Sequence, residues 1–176
     1  MNNHSINPGA IFCHYLQQLK VIVEKIDRHS GGDNALLQHS LHPGMLPLLA
    51  QLRTAANFSL RCCCPLSARP RITFDNSDDT YAGVQLQLTQ TIDYLQAIPA
   101  TDFIHATTII SDQAGFTKLH LPASEYAQLY ALPNFFFHLS MAYAIARAVG
   151  VPLSKGDFDG YHQYPDGFSF VPETTR

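Results

Sequence analysis

Four segments of the chain carry apolar residues at the three- and four-residue spacing of a single helix face. They cover about residues 8–28, 42–64, 79–98 and 125–149. Each apolar stripe must be hidden from water, and packing the four stripes against one another does this with one shared core. The pattern therefore predicts an all-α fold, a four-helix bundle.

The stretch between the third and fourth helical segments has a different pattern. Residues 107–110 and 116–121 are rich in β-branched and apolar residues and flank a turn-like string at 111–115, which predicts a small β-hairpin before the last helix. Pro133 then either kinks one long helix or separates a short helix from a second one that Asn134 caps. From about residue 151 the chain is rich in Gly, Pro, Tyr and Phe, which predicts an irregular tail.

Composition narrows the classes of protein to which the chain can belong. With 176 residues, 46% of them hydrophobic, we expect one domain, 1–176, with a substantial core. The net charge of −3 and the absence of any Lys/Arg run disfavour binding to nucleic acid or to an acidic membrane surface. Polar residues break the apolar stretches before ~18 positions, so no membrane-spanning helix is predicted.

Cysteine usage bears on both location and metal binding. Cys62, Cys63 and Cys64 are consecutive, a spacing that does not suggest a disulfide framework. Successive side chains on a helix diverge by about 100°, so the three thiols are interpreted as apolar filling at a helix end. The N-terminus also lacks the features of a signal peptide, and a cytoplasmic location is predicted.

His138 is the polar residue that most suggests chemistry, because it lies in the most apolar helical segment. A buried imidazole needs a partner, since an unpaired polar group costs about 1–3 kcal/mol. It is either a hydrogen-bonded core histidine or a metal ligand or acid–base residue. A second ligand would be expected three or four residues later, where Met141 and Ala142 stand, so a local two-ligand clip is absent. Tyr143 and Arg147 fall on a different face of this helix.

Two stretches carry a family resemblance: LPNFFFH at 132–138 followed by Tyr143, Arg147 and GVPL at 150–153, and LHPGMLPL at 41–48 followed by Gln51. They resemble a bacterial family of unknown function that is grouped with the DinB/YfiT-like superfamily of metalloenzymes. The resemblance implies an up-down-down-up four-helix bundle, often a homodimer.

The same resemblance implies a site for a divalent metal such as zinc or nickel. DinB-like relatives hold the metal with three histidines, one on the second helix and an HxxxH pair on the fourth. In this chain His138 alone matches the fourth-helix pair, because Ala142 occupies the other position, and Gln51 or a neighbour stands at the second-helix position.

Two functional hypotheses follow. One is a DinB-like metal-dependent enzyme with a reduced metal site centred on His138. The other is a non-catalytic module that binds a small apolar or amphipathic ligand at Gln51, Asn134, His138 and Tyr143, or that acts as a homodimer. We favour the second, because the residues needed for the first are incomplete.

Overall fold

The computed structural model of the protein describes residues 6–165 and Phe168. Its long helices are α1 (Gly9–Ser30), α2 (Leu48–Leu66), α3 (Tyr81–Gln96) and α4 (Ala123–Ala148), and a short helix α5 (Lys155–Asp159) follows. Strands β1 (Ile109–Ala114) and β2 (Thr117–Pro122) form an antiparallel hairpin directly before α4, and two 3₁₀ segments cover Asn34–Gln38 and Ala100–Asp102. The predicted four-helix bundle with a hairpin before its last helix is confirmed.

The four long helices run up, down, down and up. Helix α4 packs antiparallel to α2, α3 packs antiparallel to α1, and α2 and α3 are parallel. The following contacts fix these directions. Between α2 and α4 they are Gln51–His138 and Arg61–Tyr126; between α1 and α3, Lys20–Thr89 and, just after α1, Asp33–Tyr81; between α2 and α3, Asn57–Gln87 and, just before α3, Arg53–Asp79. Two parallel neighbours in sequence need a long connection, which residues 67–80 supply.

The core is formed by the stripes that the sequence predicts. On α1 the fully buried side chains include Phe12, Leu16, Leu19, Ile22 and Ile26, which repeat every three or four residues. Fully burying a side chain of this size contributes roughly 1.5–3 kcal/mol. The helix ends at Gly31, whose left-handed φ of 64° a residue with a Cβ would adopt only with strain.

Helix α2 differs from the sequence prediction at both ends. It begins at Leu48 rather than near residue 42, because Pro47 is extended and Gly44 has a φ of 90°, which no helix contains. It continues through the three cysteines and Pro65 to Leu66. Cys62, Cys63 and Cys64 are fully buried, in agreement with their interpretation as apolar filling. Helix α3 is capped by Thr80, whose side chain accepts a hydrogen bond from the Gly83 N–H.

Helix α4 runs unbroken through Pro133. Its first turn, Ala123–Glu125, is followed by a π-helical segment, Tyr126–Ala131, and then by regular α-helix from Leu132 to Ala148. The wider π-helical turn just before Pro133 accommodates a residue that has no N–H to donate. One consequence is a helix long and apolar enough, by length and composition, to cross a membrane, with 33% of its most apolar window buried.

Part of the tail that was predicted to be irregular forms helix α5. Its N-terminus has a capping box in which Ser154 and Asp157 satisfy each other's backbone N–H groups. The Lys25 ammonium lies 2.7 Å from the Asp157 carboxylate, so α5 is tied to α1. Residues 166–167 and 169–176 of the predicted tail lie outside the described residues.

Candidate functional site

Helices α2 and α4 bring Gln51 and His138 together in the bundle. The imidazole Nδ1 lies 2.7 Å from Gln51 Oε1, while Gln51 Nε2 donates to the Leu46 carbonyl at 3.3 Å. Because the amide nitrogen is engaged elsewhere, the amide oxygen faces the ring and accepts a hydrogen bond from Nδ1–H. His138 Nε2 therefore keeps its lone pair, and it makes no hydrogen bond to any residue that the structure describes.

The surroundings of His138 keep the imidazole neutral. Its ring stacks on Phe58, with centroids 5.5 Å apart and planes inclined by 23°, and the edge of Phe137 approaches at 5.2 Å. Burial lowers the pKa of His138, because the charged form would lose its hydration. At neutral pH the group is a hydrogen-bond donor at one nitrogen and an acceptor at the other.

The other two residues of the predicted pocket are placed differently. Asn134 lies one helical turn before His138, half-buried, and its amide donates to the Tyr130 carbonyl at 2.7 Å. Tyr143 does not join this group: its hydroxyl donates to the Leu153 carbonyl and its ring meets the edge of Phe158. The structure thus joins Gln51 to His138 and directs Tyr143 toward the tail.

A second polar cluster surrounds the buried carboxylate of Asp112, on β1. Arg61 makes a bidentate ion pair with it, Nε to Oδ2 at 2.8 Å and Nη2 to Oδ1 at 2.9 Å, and Arg71 Nη1 reaches Oδ1 at 2.7 Å. Tyr126 donates its hydroxyl to Oδ2 at 2.6 Å, and the Gln113 backbone N–H donates to Oδ1. The carboxylate therefore accepts five hydrogen bonds.

Protonation in this cluster follows from burial and charge. Burial by itself raises the pKa of Asp112, but hydrogen bonds from Arg61 and Tyr126 outweigh it and hold that pKa well below the usual range. Burial, and next the Asp112 carboxylate, raise the pKa of Tyr126 far above its ordinary value. Asp112 is thus ionised and Tyr126 protonated. The carboxylate holds Arg61, Arg71 and Tyr126 in place, and both of its oxygens are engaged in these hydrogen bonds.

Phe58 connects the two clusters along the interface between α2 and α4. One of its ring contacts is the stack with His138, and the Arg61 guanidinium lies 5.4 Å from its centroid. The same guanidinium lies 5.6 Å from the centre of the Tyr130 ring. A cation held over two aromatic rings and an imidazole with a free acceptor therefore share one side of the bundle.

Sequence reasoning did not identify Arg61, Arg71 or Asp112 as members of a site. Asp112 was placed in a turn, whereas β1 continues to Ala114 and the turn is at Gly115 and Phe116. Within the strand, Ile110 and Asp112 are the two buried residues. The alternation of a longer predicted strand would have placed Asp112 inward, where a carboxylate needs a cationic partner.

The sequence profile of the family described as Domain of unknown function (DUF1993) matches residues 8–159. The chain belongs to the DUF1993 family. The crystal structure of a DinB family member protein from Shewanella denitrificans is similar to it, with a TM-score of 0.76 and 27% identity over 89% of this chain and 91% of that chain. No curated protein matches the chain.

These comparisons confirm that this DUF1993 protein is related to the DinB-like superfamily, and the superfamily's three-histidine site can be tested against its residues. His138 supplies one imidazole, Gln51 supplies an amide already bonded to it, and the position four residues later is the fully buried Ala142. Among the described residues no three His, Cys, Asp or Glu side chains are grouped so that they could hold a metal ion. The residues present therefore do not fit that metal site.

Proposed function

We propose that this DUF1993 protein is a non-catalytic module that works as a homodimer, joined through the exposed side of α4. That side, the α4 apolar face, consists of Leu129, Pro133, Phe137, Met141, Ala144 and Ala148. Leu129 is 71% exposed and Phe137 is 52% exposed, although both belong to the most apolar helix of the bundle. This exposed apolar face is the observation that supports the proposal.

The spacing of the α4 apolar face suits pairing with a second copy of itself. Its members follow one another at four, four, four, three and four residues, which makes a single ridge along the helix. In an antiparallel pair with Phe137 on the two-fold axis, Leu129 lies opposite the partner's Ala144 and Pro133 opposite the partner's Met141. Large residues then meet smaller ones, as a self-complementary interface requires.

Charges at the two ends of the ridge complement the same arrangement. Glu125 and Arg147 are exposed at opposite ends of α4, and neither forms an ion pair with a described residue. Antiparallel pairing brings Glu125 of each copy to Arg147 of the other. Covering side chains of the size of Leu and Phe contributes up to roughly 1.5–3 kcal/mol for each one that leaves water.

Sedimentation equilibrium tests the proposal directly. The wild-type chain is expected to sediment at twice its mass of 19.5 kDa. Phe137→Glu places two like charges at the two-fold axis and should yield the monomer. Leu86→Glu is the matched control, because Leu86 lies on α3 and is also 52% exposed, and it should leave the dimer intact.

Charge reversal tests the antiparallel arrangement. Glu125→Arg alone should weaken the dimer, and adding Arg147→Glu should restore it, because the pair is then recreated with its signs exchanged. A wild-type chain that remains monomeric at about 100 μM would overturn the proposal, because dimerisation is driven by concentration. Binding of that monomer to phosphatidylcholine vesicles would assign the α4 apolar face to a membrane instead.

The small-ligand alternative stays a prediction. It is supported by the acceptor that His138 Nε2 retains beside Gln51, which a ligand hydroxyl or amine would bind. The cytoplasmic location predicted from the sequence also stays a prediction.

A further inference from the structure

Arg61 and Arg71 bring two positive charges to a single carboxylate. Both donate to the same oxygen, Asp112 Oδ1, so the two guanidiniums are direct neighbours. Neither arginine pairs with another carboxylate among the described residues, and an arginine side chain does not lose its charge in a protein. One positive charge therefore remains unbalanced where the hairpin meets α2.

Both guanidiniums also keep an N–H group that no described residue accepts. Arg61 Nη1 and Arg71 Nε make no hydrogen bond to any described residue, and Arg61 Nη1 is not a buried atom. The two side chains are 31% and 43% exposed, whereas the Asp112 side chain beneath them is 1% exposed. Neighbouring, partly exposed guanidiniums with unused N–H groups are suited to an incoming oxyanion, which forms charge-assisted hydrogen bonds with them.

The geometry of Arg61 is fixed before any ligand arrives. Its fork is held by Asp112, and its central carbon lies over the rings of Phe58 and Tyr130. Holding the side chain in place reduces the entropy that binding would otherwise cost. The half-buried ring of Tyr130 also offers an apolar surface next to the cation.

We propose that Arg61 and Arg71 bind a small oxyanion, the carboxylate or phosphate group of a metabolite, and that a flat apolar part of that metabolite lies on Tyr130. Anchoring the hairpin to α2 requires only the Arg61–Asp112 pair. The second arginine supplies the surplus charge and the second set of donors, which an anchor alone does not use. None of its residues belongs to the α4 apolar face, although Tyr130 follows Leu129 on the same helix, and its arginines do not depend on dimerisation.

Titration with inorganic phosphate and with phenyl phosphate, at constant ionic strength and followed calorimetrically, tests this site. Both probes should bind saturably, and phenyl phosphate should bind more tightly because its ring adds contact with Tyr130. Arg71→Gln should lower the affinity for both probes about tenfold or more, and a tenfold change corresponds to about 1.4 kcal/mol of binding free energy. Tyr130→Leu should weaken the binding of phenyl phosphate and leave the affinity for inorganic phosphate unchanged.

Arg69→Gln is the matched control for Arg71→Gln. Arg69 is 34% exposed and pairs with Asp102, so its removal changes the net charge equally without touching Asp112. It should leave both affinities within about twofold, a change below 0.5 kcal/mol. Circular dichroism verifies that each variant is folded. Arg71→Lys keeps the charge but loses the forked guanidinium, and it should bind both phosphates with intermediate affinity.

Two results would overturn the proposal. One is the absence of saturable binding of either phosphate to the wild-type chain. The other is equal weakening by Arg69→Gln and Arg71→Gln, which would show a general charge effect. Neither depends on the oligomeric state, so a failure here is distinguishable from a failure of the proposed homodimer.

Discussion

Replacing Asp112 by asparagine tests how much the polar cluster around this carboxylate contributes to stability. The substitution keeps the shape of the side chain and removes its charge. Every group that contacts the two carboxylate oxygens is a hydrogen-bond donor. Oδ1 accepts from Arg61, Arg71 and the Gln113 backbone, and Oδ2 accepts from Arg61 and Tyr126. Whichever oxygen becomes an NH₂ group therefore faces donors, and the two guanidiniums lose the one carboxylate that pairs with them among the described residues.

The expected loss of stability follows from burial. Removing one partner of a buried ion pair costs about 3–5 kcal/mol, because the remaining charge stays desolvated. Here Asp112 is buried but the two arginines are partly exposed and can regain water, so the lower end, about 3 kcal/mol, is expected. For a chain of this length that corresponds to a fall in Tm of roughly 6–12 °C.

Urea unfolding of Asp112→Asn and Asp79→Asn provides the measurement. Asp79 is the control, because it is 68% exposed and its one ion pair in the described part of the chain is with Arg53, so its loss should change the free energy of unfolding by less than about 1 kcal/mol. The pKa of Asp112 is lowered in the fold, so its contribution is present above the unfolded value of about 3.9 and is lost as the pH falls below it. The difference in the free energy of unfolding between the wild type and Asp112→Asn should therefore become smaller below about pH 4. Equal effects of the two substitutions at neutral pH would refute the reasoning.

Two further predictions concern stability. The lowered pKa of His138 means that the unfolded chain binds more protons below about pH 6.5, so the wild type should lose stability as the pH falls from there. His138→Gln should show a flatter stability curve in that range, and an identical slope would contradict it. Thr80 accepts a hydrogen bond from the Gly83 N–H at 3.2 Å, so Thr80→Ala should cost about 1 kcal/mol in urea unfolding. No change on that substitution would show that the cap contributes nothing.

The helices were predictable where the apolar stripe and the local backbone signals agree. The predicted helix at 8–28 corresponds to α1, Gly9–Ser30, because the apolar stripe extends to Ile26 and Gly31 soon after it is suited to a helix end. The start of α2 was not predictable from the stripe, since apolar residues at 45–46 fit helical spacing although Pro47 excludes the helix there. Pro133 indicates a possible break in the fourth helix, but the helix continues through it, because the π-helical segment before it accommodates a residue without an N–H group.

The polar clusters were far less accessible from the sequence. Gln51 and His138 are 87 residues apart, and only the family resemblance placed them in one site. Arg61 and Asp112 are 51 residues apart and belong to a helix and a strand, so no spacing rule connects them. Such pairs depend on how the elements pack, and the periodicity of one element carries no information on its partner.

The π-helical segment also explains how α4 contributes to both clusters on α2. In a regular helix, residues twelve positions apart are rotated by about 120° from one another, so Tyr126 and His138 would lie on different faces. The i→i+5 turns of Tyr126–Ala131 take up about one extra residue, which turns the helix back by about 100°. Tyr126 can then reach Asp112 and the Arg61 carbonyl while His138 reaches Gln51 on the same helix. Removing one residue from this segment should therefore separate the two clusters, because only one of the two side chains could still face α2.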